Sequence, residues 1–302
     1  MLGPLLFILF INDLVDHIPP DANPTFFADD LKIFSDQPSI PLPGDHDKSY
    51  SPLLQTSLNI IFEWSLSWQL TISFSKCSVL SICNANQSNI RSYNINSILI
   101  PQVSSFCDLG IIVDDKLTFS SHISSITRKA YSQSKLISRC FVSKHSNLLK
   151  LAFTSYVRPL LEYDIPIWSP HLLKHITQIE NIQRRFTKSI PNLSSLPYHQ
   201  RLSRLGLDTL LQRRRQFDLS TCYRLYHSLT ILPSNLFFTP RSYNATRGHQ
   251  HVLVMPSAHL DVFKFSFQSR VVGDWNSLPP NVISVGTISA FKARIKRFHL
   301  PF

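Results

Sequence analysis

Thr25-Phe26-Phe27-Ala28-Asp29-Asp30-Leu31-Lys32-Ile33-Phe34 sets two adjacent carboxylates between two short apolar and aromatic runs. Phe and Ile favour a pleated, half-buried surface, whereas adjacent aspartates are poor strand formers and belong at a turn. The stretch therefore predicts a β-hairpin with both acids at its tip. Two carboxylates held that close repel each other unless a cation joins them. Mg²⁺ suits such a place, because it takes carboxylate oxygens and keeps positions for water and substrate phosphates. Adjacent acids also mark ordinary solvated turns, and Ile111-Ile112-Val113-Asp114-Asp115 repeats the pattern of an apolar run ending in Asp-Asp. Pattern alone does not choose between a metal site and a turn at either position.

The surroundings add a resemblance. Leu2-Gly3-Pro4-Leu5-Leu6-Phe7-Ile8-Leu9-Phe10-Ile11-Asn12-Asp13-Leu14, followed closely by Phe27-Ala28-Asp29-Asp30, resembles the palm of reverse transcriptases from non-LTR retrotransposons of the jockey and CR1 (LINE) type. The resemblance makes the first segment the tail of the template-contacting motif B. It makes the Phe-Ala-Asp-Asp box motif C, with Asp29 and Asp30 as catalytic metal ligands. Trp64 and Trp68, then Leu70-Thr71-Ile72-Ser73-Phe74-Ser75-Lys76-Cys77, resemble the stretch that ends in the motif D lysine. On that basis Lys76 is a catalytic candidate, a proton donor to the leaving pyrophosphate; Ser73 stands where the family usually carries Asn. Asp108 to Asp115 resembles the strand and turn at the primer grip, motif E, which makes Asp114-Asp115 a structural turn. Tyr156 to Tyr163, Ile167-Trp168-Ser169-Pro170, Gln183-Arg184-Arg185-Phe186 and Trp275-Asn276-Ser277-Leu278-Pro279 resemble the region after the polymerase core.

What this implies is an RNA-directed DNA polymerase, transferring nucleotides from dNTPs on an RNA template and a DNA primer with two Mg²⁺ ions. Such a palm needs a third carboxylate on a separate strand, motif A, upstream of motif B, to hold both metals for in-line attack. Met1 falls inside motif B, where the family has an aliphatic residue. The chain is therefore expected to be a carboxy-terminal fragment without fingers or motif A, from a truncated element or an internal start codon, and inactive alone. The alternative comes from another class: a non-catalytic nucleic-acid-binding remnant that uses the basic half of the chain.

That basic half is visible in the charge distribution. The 302 residues carry a formal charge of +11, but residues 1–120 hold five Lys and Arg against twelve Asp and Glu, and residues 121–302 hold 25 against seven. A net of −7 beside a net of +18 suggests an acidic catalytic part joined to a polyanion-binding part. Arg184-Arg185 and Arg213-Arg214-Arg215 lie in patterns with Ile or Leu at three- and four-residue intervals, as in Ile176, Ile179, Ile182 and Leu207, Leu210, Leu211. These predict amphipathic helices with arginine faces, and guanidinium forks match phosphate oxygens. Any one such cluster is also the composition of a solvated helix face. With Arg128 and Lys129 added, the candidate nucleic-acid contacts are Arg128, Lys129, Arg184, Arg185, Arg213, Arg214 and Arg215.

Composition bounds the rest. Hydrophobic residues make up 43%, enough for a sizeable core. Five cysteines, at 77, 83, 107, 140 and 222, include no C-x-x-C pair, so a reduced intracellular setting, nuclear or cytoplasmic, is expected. The apolar run from Leu2 to Ile11 is too short to span a bilayer and lacks the flanks of a signal peptide. It predicts a buried helix with Pro4 in its first turn.

The fold class expected is α+β: a truncated polymerase palm with an Asp-Asp hairpin over residues 1–118, a mainly helical basic thumb and connection region over 119–232, and a loosely ordered tail over 233–302. Within the palm, Leu54, Leu58, Ile61, Phe62 and Leu66 mark one face of a helix, and short strands in Leu70–Cys83 and Ile95–Val113 are expected to complete one sheet around an Asn84–Asn94 turn. Pro38, Pro41, Pro43 and Gly44 predict an exposed loop. Further helices are expected at Ser120–Phe141, Leu148–Trp168, Leu172–Ile190 and Leu205–Leu229, with Pro159, Pro166 and Pro170 as breaks and Asp208 in a first turn. The tail suggests one strand at Phe263–Phe267 and a final basic helix at Phe291–Phe298.

Overall fold

A computed structural model describes residues 2–35, 52–82, 92–241 and 250–298. The predicted Pro-rich loop at 38–44 and most of the polar turn at 84–94 lie outside the described residues. The chain divides into two compact units, Met1–Leu117 and Thr118–Phe302. No helix among the described residues is long and apolar enough to cross a membrane.

Unit one begins with α1 (Gly3–His17), in which Pro4 occupies the first turn, where its missing N–H costs nothing. The helix forms as expected but is not buried. Leu14 and, just past its end, Ile18 enter a small core with Ala22, Ile61 and Trp64, flanked by Phe10 and Ile11. Leu2, Leu5, Leu6, Ile8 and Leu9 are each more than half exposed. The reason is geometric: the core takes the stripe of Phe10, Leu14 and Ile18, and an all-apolar helix always has a second side.

α2 (Pro52–Ser67) serves two clusters. Ile61 and Trp64 pack toward α1, and the Trp64 indole donates to the Asp13 carboxylate at 3.1 Å. Leu54, Leu58 and Phe62 pack instead against Tyr93, Ile95 and Ile100. Leu66, expected on the apolar face, is exposed, and Trp64 takes the inward place.

The strands do not merge into one sheet. The described residues form four separate two-stranded ladders. β1 (Thr25–Phe27) pairs antiparallel with β2 (Asp30–Lys32), and β3 (Val79–Leu80) pairs parallel with β6 (Gln102–Val103). β4 (Tyr93–Ile95) pairs with β5 (Ile98–Ile100), and β7 (Ser105–Asp108) with β8 (Ile111–Asp114). Both of these hairpins turn on two residues with positive φ, Asn96-Ser97 and Leu109-Gly110. That is the I′ pattern, whose twist suits adjacent strands. In three of the four ladders strands of three or four residues pair only with their own hairpin partner, and β3 and β6 are two residues each, so no continuous sheet results among the described residues.

Unit two is helical. α3 (Ser120–Cys140) buries Ile123, Ile126, Ala130 and Ile137 along one stripe. α4 (Ser146–Ala152) runs through a π-turn at Phe153–Val157 into α5 (Arg158–Glu162). Pro159 therefore does not end the helix. Its missing N–H is absorbed where the chain widens by one residue per turn. α6 (Ile165–Trp168) follows, then α7 (Leu173–Lys188), whose Phe186 stacks on Phe153 at 4.7 Å between centroids.

α8 (Tyr198–Leu205), which periodicity does not reveal, ends at Gly206 with φ +59°. α9 (Leu210–Tyr226) starts later than expected. Thr209, not Asp208, caps it: Thr209 Oγ1 accepts from the Gln212 N–H at 3.1 Å, and Gln212 Oε1 accepts from the Thr209 N–H at 3.2 Å. This reciprocal capping satisfies two otherwise orphaned donors.

Beyond Ser234 the described residues, 235–241 and 250–298, are packed rather than loose, while most of the polar run 241–251 lies outside the described residues. α10 (Asp261–Lys264), α11 (Phe267–Asn276), α12 (Pro280–Ile283) and α13 (Ile288–Arg297) follow in order, so Phe263–Phe267 is a helix-to-helix corner and not a strand. Val271, Val272, Trp275, Ile283 and Phe291 join Leu219, Cys222 and Tyr223 of α9 in one core. Trp275 is fully buried, and its indole donates to the His251 carbonyl at 2.8 Å.

Candidate functional site

The Asp-Asp hairpin is tight. Phe27 pairs with Asp30, leaving only Ala28 and Asp29 as the turn. Ala28 has φ +53°, and Asp29 does not have positive φ. Positive φ at the first central residue alone is the II′ pattern, normally a glycine position. Asp29 thus sits on the tip, and Asp30 opens β2 beside it; both are exposed. Two residues on, Lys32 bonds both Asp108 carboxylate oxygens, at 2.5 and 2.7 Å, fixing the hairpin to β7. Leu31 and Phe26 point the other way, into the core with Leu14 and Trp64.

As a donor set, Asp29 and Asp30 fit a hard cation that keeps water and phosphate in its remaining positions. Among the described residues, no group of three or more His, Cys, Asp or Glu is placed to hold a metal. Lys76 ends a single 3₁₀ turn, Phe74–Lys76, and is exposed; the strand end expected there is a turn held by the Lys76 N–H to Ser73 carbonyl bond at 3.0 Å. At the other Asp pair, Asp114 ends β8, and its carboxylate accepts from the Lys116 N–H at 3.2 Å while its carbonyl accepts from Leu117 at 2.9 Å. That is an Asp-built turn.

The arginines of unit two fall into two kinds. Three of α9, Arg213, Arg214 and Arg215, turn toward neighbouring helices, whereas Arg224 near its end is exposed. Arg213 makes a two-pronged pair with Glu162 of α5, and Arg215 a two-pronged pair with Asp274 of α11 at 2.7 and 2.5 Å. Arg214 is 2% exposed, with Glu180, Asp218 and Glu162 supplying the opposing charge against the desolvation that lowers its pKa. The same region holds Arg270, whose guanidinium bonds both oxygens of Asp218 at 2.9 Å. Arg213 and Arg215 thus stitch α9 to its neighbours, and Arg214 is buried without a hydrogen bond, so the three do not present their guanidinium groups together on a surface. A sequence window cannot show this, because Arg213 and Arg215 meet their partners 51 and 59 residues away.

Arg128, Lys129, Arg184 and Arg185 do face solvent. α3 and α7 pack side by side, and Arg128 and Arg185 line a groove of about 320 Å³ together with Ser124, Thr127, Tyr131 and Gln178. The Gln178 amide donates to the Thr127 hydroxyl at 2.9 Å across the groove. Arg184 lies over the Tyr198 ring at 5.0 Å, and its carbonyl accepts from Arg201. Tyr131, Gln178 and Asn181 are absent from the sequence-derived candidates. Their signal was available in spacing, since Tyr131 is three residues from Arg128, and Asn181 and Gln178 are four and seven from Arg185.

Residues 1–122 match the family model described as reverse transcriptase (RNA-dependent DNA polymerase). The RNA-directed DNA polymerase from mobile element jockey of Drosophila melanogaster is 24% identical over 247 residues, 78% of this chain and 26% of that protein. The probable RNA-directed DNA polymerases from transposon BS and transposon X-element of the same fly are 25% and 27% identical, over 69% and 63% of this chain. The chain spans about a quarter of the length of these relatives. No solved structure matches. The match reaches from α1 across the Asp-Asp hairpin to the start of α3, and the similarity to mobile-element polymerases runs on into unit two. The chain is thus similar to the RNA-directed DNA polymerases of non-LTR retrotransposons, and residues 1–122 match the reverse transcriptase family model.

Proposed function

We propose that this chain is the part of an RNA-directed DNA polymerase that carries the motif C metal ligands and a nucleic-acid-binding helical region. In this reading residues 1–117 are part of a palm, and α3 with α7 forms a thumb-like face on the template and primer. Asp29 and Asp30 would hold Mg²⁺, which when bound polarises phosphate oxygens for nucleotidyl transfer. Asp29 on the tip and Asp30 at the strand edge present their oxygens to solvent, where a nucleotide's phosphates can also reach. Lys76 would supply a proton to the leaving group. Two carboxylates do not make a two-metal clamp, so the chain by itself is proposed to bind nucleic acid without extending a primer.

The single observation that carries this reading is the reverse transcriptase match over the segment that presents Asp29 and Asp30. The basic face supports it. α3 holds Arg128, Lys129, Lys135 and Arg139 and no acid, and α7 holds Lys174, Arg184, Arg185 and Lys188 against one acid, Glu180. Glu180 is turned inward, to Tyr198 and to the backbone N–H groups of Leu210 and Leu211.

The test is a binding isotherm across salt concentrations. With about four phosphates neutralised, the slope of log affinity against log salt should be about −3 for a single strand. Arg128→Gln and Arg185→Gln should each reduce that slope, whereas Arg213→Gln should leave it unchanged. A flat salt response removes the nucleic-acid reading. Primer extension by the chain alone, abolished by Asp29→Ala, would contradict the proposed dependence on a further carboxylate. A non-catalytic binding role is the second reading, favoured because the basic face lies wholly in unit two; it predicts that Asp29→Ala and Asp30→Ala together leave binding and its metal dependence untouched.

A further inference from the structure

Tyr131 sits in the α3/α7 groove with 38% of its surface exposed. On α3 it is three residues after Arg128 and four before Lys135, so the three side chains share one face. Across the groove, Gln178, Asn181 and Arg185 follow one another at three- and four-residue spacing on α7. The helices run in the same direction, since Ser120 meets His175, Thr127 meets Gln178, and Tyr131 meets Arg185 in order along both. Lys135 Nζ lies 5.5 Å from the Tyr131 ring centroid, and the Arg185 guanidinium 6.0 Å. All eight Lys and Arg side chains of the two helices are exposed, while the one acid is buried.

We propose that this groove takes an unpaired nucleic-acid strand, stacking one base on Tyr131 while Arg128, Lys135 and Arg185 hold the flanking phosphates. The inference rests on the reading of α3 and α7 as a nucleic-acid face and says which form of nucleic acid that face selects. Phosphate contact alone needs no aromatic ring among the cations. A ring is useful only where a base can leave its neighbours and lie on it, and in a duplex both faces of each base are covered. The two cations near Tyr131 lie 5.5 and 6.0 Å from its ring centroid and belong to exposed residues. A base stack is the stronger contact, and displacing them frees them to meet phosphates. The Gln178 and Asn181 amides at the groove supply hydrogen bonds to a base edge without demanding one base, so binding is sequence-tolerant.

The test uses the full chain with fluorescein-labelled oligonucleotides of about ten nucleotides, single-stranded and as the matching duplex. Tyr131→Ala should weaken single-strand binding about five- to a hundred-fold, the usual worth of one base–aromatic stack. It should leave the salt slope and duplex binding in place, and Tyr131→Phe should bind like the native chain. If Tyr131→Ala has no effect while Arg128→Gln and Arg185→Gln still weaken binding, the stacking proposal fails and the basic face stands. If none of the three variants matters, both fail. Photo-crosslinking of a bromouridine-containing strand to the native chain gives a second readout: adducts on the peptide bearing Tyr131 support the stack, and adducts mapping only elsewhere overturn it.

Discussion

Removing the Arg270 guanidinium is the sharpest test of how unit two is held together. Arg270 of α11 bonds both oxygens of Asp218 on α9 at 2.9 Å, the Pro166 carbonyl at 2.7 Å and the Phe265 carbonyl at 3.2 Å. The Asp218 side chain is 7% exposed. Arg270→Ala therefore strands a carboxylate away from water and strips two half-buried carbonyls of a donor. Breaking a buried pair from one side costs about 3–5 kcal/mol. Arg214 lies close enough to act on Asp218 electrostatically, so the low end, about 3 kcal/mol, is expected. Neutralising the orphan should recover much of that. The double variant Arg270→Ala with Asp218→Asn is expected to lie about 1–2 kcal/mol nearer the native protein than the sum of its single variants. Urea unfolding followed by far-UV circular dichroism measures all four corners of the cycle, with an unchanged m-value confirming that only stability moved. A loss under about 0.5 kcal/mol for Arg270→Ala, within the range of an ordinary surface change, would refute the interlocked α9–α11 arrangement.

Ala28→Gly should stabilise unit one by about 1 kcal/mol, because Ala28 holds φ +53°, where an L side chain is disfavoured by about 1–2 kcal/mol. A fall in stability, read by amide exchange at Phe27 and Asp30, would mean that the methyl group itself is packed. Burial holds the His122, His171 and His227 imidazoles below their usual 6.5, with Lys129 adding to the effect at His122. The unfolded chain then binds more protons just below pH 6.5, so stability should be full above that value and decline as pH falls through the depressed folded values. His122→Phe, at a position packed edge-on to Trp168 at 5.1 Å, should flatten the decline, and an unchanged pH profile would remove His122 from the account.

Much of the local structure was legible in the chain. Helix periodicity located α2, α3, α7 and most of α9, because one buried stripe per helix leaves a 3.6-residue imprint. The Asp-Asp hairpin was legible from turn chemistry between apolar runs. Less legible were α8, too short for a periodic signal, and the segment after Ser234, where frequent prolines and polar residues hide four short helices. Proline at Pro159 misled for a physical reason: a π-turn upstream absorbs the missing donor that normally ends a helix. The same limit applied to charge. Arg128, Arg185 and Arg213–Arg215 look alike as letters on helix faces.

The sequence by itself determined the resemblance to retrotransposon polymerases, the hairpin that carries Asp29 on its turn and Asp30 at the start of its second strand, and the split of charge into an acidic first part and a basic second part. Each is a property of neighbours along the chain. Only the tertiary structure decided which cations remain free. It sent Arg213 and Arg215 to Glu162 and Asp274, left Arg128 and Arg185 facing one groove, and set Tyr131 between them. Those partners lie some fifty residues apart or on separate helices. Burying a charge requires a specific opposite charge beside it, and that requirement is met in space, not in sequence order.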